Sequence, residues 1–367
     1  MKNKKTTIVA ILITILLIIG IVNVKSGNDQ KIIKIGAVLI MSGDGASLGE
    51  ATVNGMNLAI KDINNQGGLL GKKLEAVVED DQGDPAKTVT AFRKLTDAEG
   101  IKFIIGPTWT KNGLAIKDLV KDTVVISPTL GVAAFNEASP YIFNTYTHDY
   151  ILSEKLAEMM IKDGHKNIAI LGAQDPWVKD QTITIKNKIE QLGGHAIFIN
   201  EPLVSSTDVR TDLLKLKNTP GVDAIAITSD GYSITSVYGR QMREIGIKLP
   251  VYGVTMDKQT ISTCEGSCDG WIYLSGLTPN KDFEERYKKE YGIEIEGGAD
   301  TAYDSVMLIA QGIKNTNGLD TTKIQEYIHT ITEYKGQSGD LKSDGKGGFT
   351  KEFALMGIKD NKPYKIK

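Results

Sequence analysis

Between residues 54 and 107 the apolar positions change period twice. Met56, Leu58, Ala59, Ile60 and Ile63 recur at helical spacing. Gly67-Gly68 then stops the helix, because glycine accepts the left-handed turn that ends one. Leu74, Ala76 and Val78 alternate with Glu75, Val77 and Glu79, which predicts a strand over 73–80. Asp84-Pro85 reads as a helix start, a side-chain cap followed by a residue whose missing N–H costs nothing there. Residues 102–106 form a short apolar run ending in Gly-Pro, the pattern of a buried parallel strand. Helix, strand, helix and strand with almost no spare loop predict a parallel sheet covered on both faces.

The same alternation runs on. A helix is expected near 111–122, with strands at 124–128 and 141–146. A second set follows: helix 152–163, strand 167–172, helix 179–192, strand 195–199, helix 209–217, strand 223–228, helix 234–245 and strand 250–255. Its helices offer apolar faces, such as Leu213, Leu214 and Leu216. A strand at 271–274 closes this set. Three helices follow, at 282–291, 300–314 and 322–331, and the tail reads as a hairpin turning at Asp360-Asn361.

The start of the chain stands apart. Three lysines fall within residues 2–5, and an uncharged stretch rich in Ile, Leu and Val spans 6–24. Residues 1–30 are therefore read as a secretory signal peptide or a membrane anchor, with both readings open. Either way the rest is exported, periplasmic or at the cell surface, and meets the membrane only through this segment. Residues 1–26 hold four of the 43 basic residues and none of the 45 acidic ones, which leaves the exported part at net −6. No basic stripe offers itself to nucleic acid. About 340 residues are too many for one core and suit two lobes. Cys264 and Cys268 are the two cysteines. In an exported chain they read as a disulfide in a tight loop between strands, ahead of a metal site, since two sulfurs without a nearby histidine make no zinc site. No metal and no cofactor is expected.

Several of these residues also carry a likeness. The run from Asp62-Ile63-Asn64 through Gly67-Gly68-Leu69-Leu70-Gly71-Lys72-Lys73-Leu74, then Glu79-Asp80-Asp81-Gln82-Gly83-Asp84-Pro85, resembles the branched-chain amino-acid (Leu/Ile/Val) type of periplasmic solute-binding protein that feeds ABC importers. Ile105-Gly106-Pro107, Ile126-Ser127-Pro128 and Thr301-Ala302-Tyr303-Asp304-Ser305-Val306 extend the resemblance, which covers nearly everything from Lys34 to Phe353. It implies an α/β type I periplasmic binding fold: two Rossmann-like lobes with parallel central sheets, joined by a three-segment hinge. The lobes would be 31–146 plus 278–342 and 147–277 plus 343–367. The hinge would cross at 145–148, 275–279 and 340–348.

Open parallel sheets bind ligands beyond the carboxyl ends of their strands. Six such ends, at 41–48, 107–110, 128–131, 174–177, 229–232 and 255–257, would surround one cleft. The resemblance places ligand contacts on particular positions there. The family's ligand-holding serine falls on Thr110, which keeps a hydroxyl. A backbone carbonyl contact falls on Thr129. The threonine two residues later falls on Gly131, which has no side chain. An aromatic position falls on Leu48, and two second-lobe tyrosines fall on Trp177 and Tyr232. The family glutamate that meets a ligand ammonium falls on or beside Thr255, with Asp257 the nearest carboxylate. The family's first-lobe disulfide is missing, with Gly83 and Trp109 at its places. Trp109 and Trp177 together suggest an aromatic wall suited to apolar, aromatic or cationic ligands. Asp175 and Asp230 read as helix caps, Asp257 as cap or ligand partner, and Thr110 as ligand contact, cap or both. The four histidines read as surface or core residues.

The resemblance implies a monomeric, non-enzymatic binding protein. It would capture an amino acid or a related apolar or aromatic compound and present it to an ABC transporter permease. The alternative is a ligand-sensing receptor module of the same fold. No Gly-x-Ser-x-Gly elbow, His-Glu-x-x-His or phosphate-binding glycine loop points to an enzyme.

Overall fold

The computed structural model describes residues 32–366, apart from 230–232, 257 and 277. The N-terminal segment of the sequence reading lies outside these residues. Among the described residues no helix is long and apolar enough to cross a membrane.

The first half is built on a five-stranded sheet. Its strands are β1 (Ile33–Leu39), β2 (Leu74–Asp80), β3 (Phe103–Ile105), β4 (Val124–Ser127) and β5 (Ile142–Asn144). They lie in the order β2-β1-β3-β4-β5, and every pairing is parallel. The connecting helices are α1 (Ala46–Asn65), α2 (Pro85–Arg93), α3 (Thr110–Ile116) and α4 (Ala133–Asn136). Asp84 caps α2 as expected, accepting from the Ala86 and Lys87 N–H groups. The helix expected over 111–122 is shorter: α3 stops at Ile116 and a single 3₁₀ turn, Lys117–Leu119, carries the chain on.

The second half continues with α5 (Asp149–Lys162), β6 (Asn167–Leu171), α6 (Pro176–Gln191), β7 (His195–Asn200), α7 (Arg210–Lys217), β8 (Ala224–Ile227), α8 (Ser233–Ile245), β9 (Val251–Gly253), α9 (Lys258–Thr263) and β10 (Ile272–Ser275). In α7, Leu213 and Leu216 are buried but Leu214 faces solvent, so its apolar face is narrower than the leucine run suggested. Helices α10 (Lys281–Tyr291), α11 (Ala299–Thr316) and α12 (Thr321–His329) follow and return to the first half, where α11 packs along α1.

Three short strands were not expected: β11 (Glu333–Lys335), β12 (Asp340–Ser343) and β13 (Phe349–Thr350) form a small antiparallel sheet. The chain closes with β14 (Ala354–Lys359) and β15 (Lys362–Lys365). These pair as the expected hairpin, with Asp360 and Asn361 in the left-handed region at its turn. The second main sheet runs β15-β14-β10-β9-β8-β6-β7, parallel from β10 to β7 and antiparallel at the hairpin.

The chain passes between the sheets three times: from β5 to α5, from β10 to α10, and between Gly348, which bridges to Asn144, and β14. Buried polar contacts stitch these passages together. The Thr145 hydroxyl donates to the Thr301 carbonyl at 2.9 Å, and the Lys351 ammonium donates to the Ser338 carbonyl at 2.8 Å. His148 meets Asp344 at 2.9 Å.

Cys264 and Cys268 are bridged. The sulfurs do not sit in an open loop between strands. Cys264 directly follows α9, and both cysteines are fully buried in the second-half core with Trp271 and Tyr273.

Candidate functional site

The carboxyl ends of β1, β3 and β4 are tied into one surface by side chains. The Thr108 hydroxyl accepts from the Ile40 N–H at 3.1 Å, while the Thr108 carbonyl accepts from the Thr129 hydroxyl at 2.8 Å. The Ser127 hydroxyl donates to the Pro107 carbonyl at 2.9 Å and accepts from the Leu130 N–H at 3.1 Å. Asp80, at the end of β2, accepts from the Met41 N–H at 2.9 Å and the Ser42 hydroxyl at 2.7 Å. Short polar residues at strand ends thus fix loops that would otherwise be free.

Thr110 is the first residue of α3, and the position before it, Trp109, has extended backbone and no side-chain cap. Thr110 therefore does not cap its helix, and among the described residues its hydroxyl makes no hydrogen bond. Leu48, Thr129 and Gly298 come together: a Cβ at Gly298 would meet Leu48 Cδ1 at 3.2 Å and Thr129 Cγ2 at 3.1 Å. Trp109 is half-buried, and its ring packs on the first-half loops, against Gly45, Gly83 and Ile40. From the second half, Trp177 lies in the first turn of α6. Asp175 caps that helix, accepting from the Trp177 and Val178 N–H groups. Tyr232, Asp257 and Asp230 lie outside the described residues. Two shallow surface hollows, one beside His329 and one beside Lys188, lie away from these strand ends. Among the described residues no group of His, Cys, Asp and Glu is placed to hold a metal.

The two halves meet at Gly131. The Gly131 carbonyl accepts from the Asp149 N–H at 2.8 Å, and the space a side chain would occupy holds the Asp149 carboxylate. The Trp177 indole N–H donates to Asp149 Oδ2 at 2.7 Å, while Asp149 Oδ1 is buried with no hydrogen-bond partner among the described residues. Burial pushes the Asp149 carboxyl up to about 7, against the Trp177 hydrogen bond and the nearby His148, which favour its charged form. Helices α3 and α6 touch beside this cluster. On another part of the same seam, the Lys258 ammonium donates to the Ile295 carbonyl at 3.1 Å.

Asp149 escaped the sequence reading. It carried one usable signal: an acidic residue at a helix start, directly after a crossing segment. Its closeness to Gly131 is purely tertiary.

The profile of the periplasmic binding protein family matches residues 32–363. The chain belongs to that family. Among curated relatives, this periplasmic binding protein is similar to Leu/Ile/Val-binding protein homolog 1 of Brucella suis, 23% identical over 331 residues and 88% of each chain. Among solved structures it resembles the leucine-binding protein LivK of Thermotoga maritima, with TM-score 0.84 and 21% identity, over 91% of this chain and 98% of that one. It also resembles the branched-chain amino-acid transporter substrate-binding protein LivJ of Streptococcus pneumoniae in complex with isoleucine, with TM-score 0.81 and 22% identity, over 91% and 98%. A third likeness is to an R. palustris ABC-transporter solute-binding protein in complex with 4-hydroxybenzoate, with TM-score 0.81 and 20% identity, over 91% and 95%. These likenesses establish the type I α/β fold with its parallel sheets, as the sequence resemblance implied.

Proposed function

We infer that this periplasmic binding protein captures one small molecule between two lobes and delivers it to the permease of an ABC importer. One observation carries the reading: two second-half side chains, Trp177 and Asp149, join directly over Gly131, the loop that follows a first-half strand end. The names of the relatives support amino acids and aromatic acids as the ligand range. The cleft is assigned to Thr110, Thr129, Gly131, Leu48 and Trp177, joined by Tyr232 and Asp257, with Trp109 supporting it from behind.

Lobe 1 is taken as residues 31–146 and 278–342, and lobe 2 as 147–277 and 343–367, with the pairing of Gly348 with Asn144 lying in the last crossing segment. Residues 1–30 serve as signal peptide or tether, and the chain acts as a monomer without catalysis. Burying about 300 Å² of apolar ligand surface contributes roughly 7 kcal/mol before ordering costs, which suits micromolar binding. The importer must prefer the closed form, or ligand would not drive transport.

Calorimetry on wild type and Trp177→Ala tests this reading. One ligand should bind per chain, and the variant should lose about tenfold or more in affinity while keeping its fold. Ligand binding that Trp177→Ala leaves untouched would place the ligand elsewhere.

A further inference from the structure

Helix α3 is seven residues long and has no side-chain cap, so its own hydrogen bonds hold it weakly. Yet it starts at Thr110 and touches α6 of the other half. A buried polar cluster ties it to the loop after β2. Asn112 is fully buried, and its Nδ2 donates to Asp81 Oδ2 at 3.0 Å and to the Thr88 hydroxyl at 2.6 Å. The Thr88 hydroxyl lies 2.9 Å from the same Asp81 oxygen, and Asp81 Oδ1 accepts from the Gly83 N–H at 2.9 Å. Asp81 is itself fully buried, directly after β2, where its N–H donates to the Leu39 carbonyl at 3.0 Å. A Cβ at Gly113 would stand 2.6 Å from Leu130 Cδ1, so α3 also sits tight against the loop that holds Gly131.

The cluster is an unfavourable way to fill space. A carboxylate is hard to bury unless it is hydrogen-bonded, and Asn112 Oδ1 is buried with no partner among the described residues. Apolar side chains of similar size would pack there with less loss. What the polar set adds is direction. A carboxylate only accepts, so the Asn112 amide must turn its N–H groups to Asp81, and that fixes where α3 begins. We propose that Asp81 and Asn112 are positioning residues of the cleft: they hold α3 so that the Thr110 hydroxyl faces the ligand and α3 meets α6 on closure. The inference rests on the solute-binding reading and adds to it two residues that act through Thr110. A site is only as well defined as the shell that supports its contacts.

The pairing makes predictions that packing alone does not. Asn112→Asp sets two carboxylates face to face, which repel. Adding Asp81→Asn restores a donor against an acceptor. In the exchanged pair the new amide donates to the new carboxylate and still accepts from the Gly83 N–H, and the Thr88 hydroxyl donates to the new carboxylate. The exchange therefore rescues the first change rather than adding to it. Misplacing α3 and removing the Thr110 hydroxyl also act on one ligand contact, so their effects on affinity should not add.

The test joins calorimetry with leucine, isoleucine and 4-hydroxybenzoate to amide hydrogen exchange without ligand. It is run on wild type, Asn112→Ala, Asn112→Asp and the exchanged pair Asn112→Asp/Asp81→Asn. Asn112→Ala should lose about tenfold or more in affinity for a probe that wild type binds, and clearly less on a Thr110→Val background. Exchange should quicken over Thr110–Ile116 while the amides of β1 and β4 stay protected. Asn112→Asp should show the same changes, and the exchanged pair should recover most of the affinity and the protection. If one Asn112 variant does not fold, the other decides, through Thr110→Val for the alanine and through the exchanged pair for the aspartate. Unchanged exchange in α3, exchange that quickens throughout the first sheet, unchanged affinity, losses that add to Thr110→Val, or no recovery in the exchanged pair would overturn the proposal. If wild type binds none of the probes, the solute-binding reading fails for them, and the exchange of α3 alone decides whether Asn112 holds it.

Discussion

The ring of Trp109 lies against Gly83 so closely that a Cβ at Gly83 would stand 2.9 Å from its Cζ3. A Cβ at Gly45 would stand 3.0 Å from Cζ2 of the same ring. Gly83 also has φ +65°, a conformation that glycine holds without strain. The sequence resemblance puts a disulfide at positions 83 and 109. Here a large ring and a missing side chain join the same two loops by packing.

That pairing predicts the effect of changing either partner. Gly83→Ala should lower stability by roughly 1–3 kcal/mol, through overpacking and the positive φ together. Trp109→Ala should lower the melting temperature clearly and weaken ligand binding much less than Trp177→Ala does. Thermal melts and calorimetry on the three variants separate these outcomes. A large affinity loss in Trp109→Ala with an unchanged melt would move Trp109 into the ligand shell.

Acid should stabilise the protein near neutrality. Burial raises Asp149 to about 7 and Asp304 to about 6, although the Ser338 and Gln337 groups that donate to Asp304 work the other way. A carboxyl raised in the folded state favours folding when protonated. Its contribution is complete below the unfolded value, near 4, and is lost as pH rises through the folded one. The melting temperature should therefore be higher at about pH 5 than at about pH 8, and Asp149→Asn should flatten part of that slope. A melting temperature that climbs over this interval would contradict the assignment.

Thr110→Val keeps the volume and removes one hydroxyl. That hydroxyl holds no partner among the described residues and does not cap α3, so folding should change little. If it meets the ligand, affinity should fall by about 1 kcal/mol or somewhat more, read by calorimetry. Unchanged affinity would take Thr110 out of the site.

The Cys264–Cys268 bridge should resist reductant in the native state, because both sulfurs are fully buried. Alkylation followed by mass spectrometry should find few free thiols after dithiothreitol alone and both after added denaturant. Ready native reduction would mean that the α9 corner opens locally.

Much of the fold was legible because local signals agreed with the packing. Asp84-Pro85 announced α2, and the same signature at Asp175-Pro176 starts α6, three residues before the helix expected from apolar spacing. The small third sheet was invisible for a physical reason. Its strands are two to four residues long and carry Asp, Lys and Ser, so no period of two develops. The strand ends were legible in the sequence, but the side-chain contacts between them were not. That Asp149 fills the space at Gly131 depends on α5 of one half reaching a loop of the other, which no local pattern records.

The most direct test of the central claim is a thermal-shift screen of the exported part against amino acids, amines, amides and aromatic acids. At roughly 100 times its dissociation constant, a true ligand should add about 2.7 kcal/mol of stability and shift the melt upward by several degrees. A melt that no small molecule in such a screen moves would contradict the account.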